Sequence, residues 1–359
     1  MGVDVMRWMY SKQNVENNLL FGYDKADEVR KKLISLWNIY SFFCTYASLD
    51  KFVPGKNKID KEDLSLLDKW IKEKSKALIV KSKESFDSFE IDKFLKDVEI
   101  FIDDLSNWYI RRNRRRFWKS ENDKDKFIAY QTLYEVLLSL IKVLSPVLPF
   151  ISERMFLNMT SEDSKENKES IHLSNFPKYD GEIDYELISK VDSLKKVIES
   201  GRAVRKKANI KVRQPLDHLK IFMLDNDLKK FITEQQDIII DELNIKNVIF
   251  SDDLNDFGDF SLKPNFKSIK SKFEDDMPEV LKKIKTFDAQ KIAKDYLKGK
   301  AFIKNELGIS REDIILDLNA SDGFESFLSN NVVVALSTTI SKELKIEGVF
   351  RDLIRHIQI

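Results

Sequence analysis

Apolar residues return at helical spacing through the first part of the chain and at alternating spacing in short stretches after it. Leu33, Leu36, Trp37, Tyr40, Phe43 and Cys44 form a first stripe. Leu67, Trp70, Ile71 and Leu78 form a second, with Lys74 and Lys81 on the same period. VPGKN (53–57) supplies the turn between them. Ile91, Phe94, Leu95, Val98, Phe101, Ile102, Leu105 and Tyr109 make a third stripe, which runs on into NWYIRRNRRRFW (107–118). A fourth covers 123–144 with Phe127, Tyr130, Leu133, Tyr134, Leu137, Leu138, Ile141 and Leu144, and SPVLPF then breaks it, because proline lacks a donor and crowds the turn before it. Four long amphipathic helices with short polar connections predict a helix bundle.

TSEDSKENKES (160–170) is polar, has no large apolar residue and is the best linker in the chain. Beyond it the spacing predicts a helix from Tyr185 to Ala208, alternating stretches IKVRQPL and LKIFML, a helix near 226–241 and a strand at KNVIF. LKPNFKSIKSKF opens a third region, in which DIILDL and NVVVAL read as strands and a helix starts near Ser341. The expected fold class is mainly α: a helix bundle followed by two small α/β domains. No internal repeat is present. Both ends break off in mid-pattern, which reads as a piece of a longer chain.

Charge changes this picture by its placement. The 359 residues carry a net charge of only +1. Residues 105–120 nevertheless hold Arg111, Arg112, Arg114, Arg115, Arg116 and Lys119 with no acid, and 201–216 hold Arg202, Arg205, Lys206, Lys207, Lys211 and Arg213 with none either. Positive charge has been gathered into two places. One cysteine, Cys44, excludes an internal disulfide and a cysteine-based zinc site. No N-terminal h-region and no long uninterrupted apolar run occur, so no membrane partner and a cytoplasmic protein are expected.

Catalytic signatures are missing. The three histidines, His172, His218 and His356, lie far apart, and no HExxH, CxxC, Walker loop or GxGxxG is found. Adjacent acids such as Asp103–Asp104 and Asp275–Asp276 are ordinary in a chain with 60 of them.

On a continuous helix, Arg111, Arg112, Arg115, Arg116 and Lys119 fall within about 140° of arc, over the face that carries the apolar stripe upstream. The core face would therefore become cationic without rotating. Unpaired guanidiniums cannot be buried, so two arrangements stay open. Either the helix overhangs the bundle, or acids from neighbouring helices pair the arginines. No acid lies four residues from any of them, which excludes intrahelical pairing. Arginine in place of lysine favours bidentate phosphate contact and stacking on bases.

These stretches resemble a known family. FIDDLSNWYIRRNRRRFW (101–118) is similar to the signature helix of the anticodon-binding domain of class I aminoacyl-tRNA synthetases for branched aliphatic amino acids. LWNIYSFFCTYA, LDKWI, LSPVLPFISERMF and SIHLSNFP follow in that domain's order. GRAVRKKANIKVRQPL (201–216) and LKPNFKSIKSKF (262–273) resemble the C-terminal extension of the isoleucyl-tRNA synthetases, whereas valyl enzymes resemble the bundle alone. The resemblance implies five segments: 1–24 ending the connection to a catalytic domain, 25–160 the anticodon-binding bundle, 161–183 a linker and docking segment, 184–260 a small α/β domain and 261–359 a C-terminal α/β domain. It implies tRNA for isoleucine and the missing N-terminal catalytic domain as partners. It also implies a parent ligase using ATP with Mg2+; for this chain, which has neither a HIGH nor a KMSKS sequence, it implies no cofactor, no metal and no catalysis alone. Carried over residue by residue, Arg111, Arg112, Arg115, Arg116 and Lys119 would meet phosphates and Trp118 would stack on a base. Arg205, Lys211 and Arg213 would add a second RNA contact, Lys211 and Arg213 sharing one face of a strand. Trp108 and Tyr109, beside the apolar stripe, are expected to pack in the core in preference to stacking on bases, and Arg114, on the opposite side of the helix, to be a surface residue or an ion-pair partner. A valyl relative, or a helical scaffold that docks an acidic protein, are the competing readings.

Overall fold

Each predicted stripe is a helix in the computed structural model, which describes residues 2–358 apart from 15, 20, 57, 119–122, 161–168, 274–275, 299–307 and 330–331. Contacts divide the chain into two units, Met1–Ile188 and Ser189–Ile359. The first unit contains α1 (Val3–Ser11), α2 (Tyr23–Leu49), α3 (Leu66–Asp87), α4 (Ile91–Asp104), α5 (Arg111–Trp118), α6 (Asp123–Leu144) and α7 (Pro149–Met159). Pro149 takes the first-turn position of α7, where a missing N–H costs nothing. Trp8, Trp70, Phe94, Leu133, Leu137, Ile141 and Met155 are fully buried, each apolar side chain contributing about 1.5–3 kcal/mol. By length and composition Lys124–Leu144 passes for a membrane span, but 72% of its apolar window is buried in the protein. Its hydropathy is explained by a central place in the bundle.

The junction between α4 and α5 departs from the sequence expectation. Leu105–Ile110 is a π-helix, in which the Arg111 N–H reaches back to the Ser106 carbonyl. In a plain α-helix every fourth residue advances by about 40°. The wider turn cancels that drift, so Leu105, Tyr109, Asn113 and Phe117 all remain inward. The face does rotate relative to a straight helix, and this sets which arginines point out.

In the second unit, α8 (Tyr185–Lys207, whose first turn lies in the first unit) leads to β1 (Leu216–Met223), α9 (Asn226–Glu234), α10 (Gln236–Leu243) and β2 (Ile245–Phe250). There follow β3 (Gly258–Pro264), α11 (Phe266–Phe273), α12 (Met277–Thr286), α13 (Ala289–Leu297), β4 (Ile314–Ala320), β5 (Phe324–Ser329), β6 (Val332–Ser337) and α14 (Lys342–Gln358). The described strands form a sheet in the order β2-β1-β6-β5 and a separate ribbon, β3-β4. β1 is parallel to β2, with Leu216 opposite Ile245, and antiparallel to β6, with Ile221 opposite Val334. The division expected at 260/261 therefore does not separate two sheets. Strands from both sides of it share one sheet, because Val333 and Ala335 of β6 meet Phe222 of β1 in the apolar cluster that also takes Leu316 and Leu318 of β4.

Gly201 lets α8 close on α10: a Cβ there would lie 2.4 Å from a Leu243 methyl. α14 docks by its polar edge, through Leu344, Gly348, a Glu347–Lys246 pair at 2.7 Å and an Asp352–Arg213 pair at 3.2 Å. Ile346, Val349, Phe350, Leu353 and Ile357 on its other side are exposed.

Candidate nucleic-acid interface

The arginine helix α5 is held at its root by a buried polar cluster. Asp68, in the first turn of α3, has no exposed surface. It accepts from Tyr109 Oη at 2.7 Å, from the backbone N–H of Ser65 at 3.0 Å and from Arg116 Nη1 at 3.0 Å. Ser65 and Asp68 form a capping box on α3. Arg116 also donates Nε to both oxygens of Asp125, at 3.0 Å each, and Nη1 to Asn113 Oδ1 at 3.2 Å. Burial alone would lower the Arg116 pKa, but the bonds to Asp68 and Asp125 outweigh it and the net shift is upward. Burial, with Asp68 alongside, pushes the Tyr109 phenol well above its ordinary value. Phe117 is buried edge-on between Phe42 and Tyr130, at 5.2 and 5.3 Å.

Of the two arrangements left open for the arginines, each holds for different residues. Arg116 is paired by acids from α3 and α6. Arg114 and Arg115 are exposed and have no side-chain partner among the described residues. Arg111 is exposed and folds its Nε onto the Asn107 carbonyl at 2.8 Å, and Arg112 is half-buried. Trp118 is 51% exposed, next to buried Phe117, while Trp108 and Tyr109 lie in the core. Lys119 lies outside the described residues. Arg114, expected on the far surface, shares the outer side with Arg115.

The second basic stretch differs more from expectation. Residues 210–215 are irregular, and the strand begins only at Leu216. Asn209 takes a left-handed conformation (φ 55°) that ends α8, and the chain doubles back so that Ile210 N–H meets the Arg205 carbonyl at 2.9 Å. Arg205 is 1% exposed and donates to the carbonyls of Lys211 at 3.0 Å, Gln214 at 2.9 Å and Asn244 at 2.9 Å. With no carboxylate beside it, burial pulls its pKa down to about 10. Asn244 Nδ2 binds the carbonyls of Val212 and Arg213 at 3.0 and 2.9 Å. These side chains take the backbone carbonyls that a strand ladder would have used. Lys206 and Lys211 are exposed, Arg213 pairs with Asp352 at 3.2 Å, and Lys207 pairs with Glu325.

Two site contributors escaped the sequence reading. Asp68 was legible as the fourth residue of a Ser-x-x-Asp cap before an apolar run. Asn244, 31 and 32 residues from the carbonyls it binds, had no local signal. In LKPNFKSIKSKF too, polar side chains bond to the protein itself. Ser268 Oγ and Lys272 Nζ grip buried Asp313 at 2.6 and 3.0 Å, and Asn265 Nδ2 binds the Glu312 carbonyl at 2.8 Å.

Residues 68–221 match the anticodon-binding domain of tRNA ligase. The chain is 37% identical to the isoleucine–tRNA ligase of Clostridium tetani (strain Massachusetts / E88) and 36% identical to that of Clostridium novyi (strain NT), in both instances over 99% of this chain and 35% of the relative. The isoleucine–tRNA ligase of Treponema denticola is 33% identical over 99% of this chain and 34% of its own length. The chain thus spans about 35% of the relatives it matches.

Proposed function

We propose that the chain docks on the anticodon stem-loop of the tRNA for isoleucine, a reading supported by the match of residues 68–221 to the anticodon-binding domain of tRNA ligase and by the similarity of 99% of the chain to isoleucine–tRNA ligases. The observation that carries this reading is α5, whose outer side presents Arg111, Arg114 and Arg115 while its inner side is locked to α3 and α6. Arg111, Arg112, Arg114 and Arg115 neutralise phosphates, and Trp118 offers an exposed ring on which an unpaired base stacks. Lys211 and Arg213, in the second unit, make an RNA contact of their own. Arg116 and Arg205 serve as positioning residues, because their guanidiniums are taken up by the protein. In the whole ligase this portion brings the tRNA to a catalytic domain in the rest of the polypeptide, which joins isoleucine to it using ATP with Mg2+.

The test compares transcripts that differ only in the anticodon. The expected result is preferential binding of the isoleucine anticodon loop. Preference for another anticodon would move the chain to a sibling ligase, and equal binding of tRNA and heparin would favour the scaffold reading.

A further inference from the structure

The first unit holds a cleft of about 910 Å3 between α3 and α6, within the 300–1,000 Å3 range of small-ligand sites. Ile59, Leu64, Tyr134 and Leu138 give it an apolar lining. Five lysines surround it: Lys56, Lys61, Lys69, Lys72 and Lys76. At one end the charges are spent. Lys72 pairs with Glu135 at 2.6 Å, Lys76 pairs with Glu73, and Glu73 also accepts from Asp184 N–H at 3.1 Å. At the other end Lys56, Lys61 and Lys69 are exposed and have no ion-pair partner among the described residues. That cationic end adjoins the arginine helix. Leu64 and Lys69 flank Ser65 and Asp68, to which Arg116 of α5 is bonded, so the cationic end of the cleft lies beside the turn of α3 that anchors the arginine helix.

We propose that this cleft is a binding site for single-stranded RNA, taking one unstacked nucleotide with its base on the apolar lining and its flanking phosphates on Lys56, Lys61 and Lys69. The inference rests on the anticodon-docking reading and adds a second place on the bundle where the loop is held. An apolar floor with cations at one rim fits a flat body whose charge lies along one edge, repeated at each nucleotide. Gln131 stiffens the rim by accepting the Gly55 N–H at 2.9 Å, which fixes the VPGKN turn beside the floor.

Photocrosslinking of a tRNA transcript to the full chain, followed by mass spectrometry, tests the placement, and binding by Lys61→Ala/Lys69→Ala and by Leu64→Glu tests the energetics. Both lysines are exposed, so the double variant should keep the wild-type melting temperature. Crosslinks are expected within residues 53–64. The double variant should bind about tenfold more weakly, with a log–log salt slope shallower by about two units. Leu64→Glu should weaken binding by putting an anion beside the base. Normal tRNA binding by both variants, with crosslinks confined to 111–118, would overturn the cleft site and leave anticodon docking intact. Loss of an acidic peptide but not of tRNA on mutation would overturn the RNA assignment of the cleft. Failure of the wild-type chain to bind any tRNA would remove the docking reading, and the cleft proposal with it.

Discussion

Arg115 and Arg116 are neighbours with opposite roles. Removing Arg116 strands Asp68, a carboxylate with no exposed surface, inside the bundle. Arg116→Ala should therefore cost about 3–5 kcal/mol in a denaturant melt. Arg115→Ala should leave stability within about 0.5 kcal/mol of wild type while shallowing the salt slope for tRNA by about one unit. If Arg116→Ala melts normally, the ion-pair cluster does not anchor α5. Five arginines within residues 111–116 announced a basic helix; which of them meets solvent did not follow from their spacing. That depended on the π-turn immediately before α5 and on acids contributed by two other helices.

At the scale of elements, side chains that grip the backbone or one another across helices set the geometry. Arg205 holds three carbonyls of the turn before β1 and of the α10–β2 corner. Arg205→Met leaves those carbonyls to find water or stay unpaired, and should lower stability by about 3 kcal/mol or more. Lys206→Ala, in the same stretch but exposed, should change little. Asp313, just before β4, joins Ser268 and Lys272 of α11 to the Ser310 cap. Burial acts to raise its pKa, but the hydrogen bonds from Ser268, Ser310 and Lys272 prevail and hold it below the usual aspartate value. A folded-state pKa below the unfolded one stabilises above the unfolded value and ceases to do so as pH falls through the folded value. Wild-type stability should thus drop below about pH 4. Asp313→Asn should be less stable at neutral pH and should lose less on acidification, so an unchanged acid limb in the variant would show that Asp313 makes no such contribution. The motif LKPNFKSIKSKF marked this region, but the partner of its serine and lysine lies more than forty residues on and became visible only in the fold.

For the molecule as a whole, the two basic stretches lie in different units, and each offers several cations to a polyanion. With about six phosphate contacts, tRNA affinity should fall by at least about two orders of magnitude between roughly 50 and 200 mM salt. A flat response in a filter-binding titration would mean that protein acids satisfy the arginines. The isolated chain should show no isoleucine-dependent ATP–pyrophosphate exchange. Activity that tracks the protein through purification would contradict that expectation.

The period of apolar residues determined the helices of the bundle, and Pro146, Pro149 and the polar turns determined where they end, because those effects act within a few residues of the chain. Ordered motifs also carried the likeness to an anticodon-binding domain. Tertiary structure decided the rest. It joined β1 to β6 across more than a hundred residues, turned IKVRQPL from a strand into a carbonyl-bound turn, and removed Arg116 and Arg205 from the surface. Each outcome depends on a partner distant in sequence: buried guanidiniums and open strand edges must find acceptors, and only the packed chain brings those acceptors within reach.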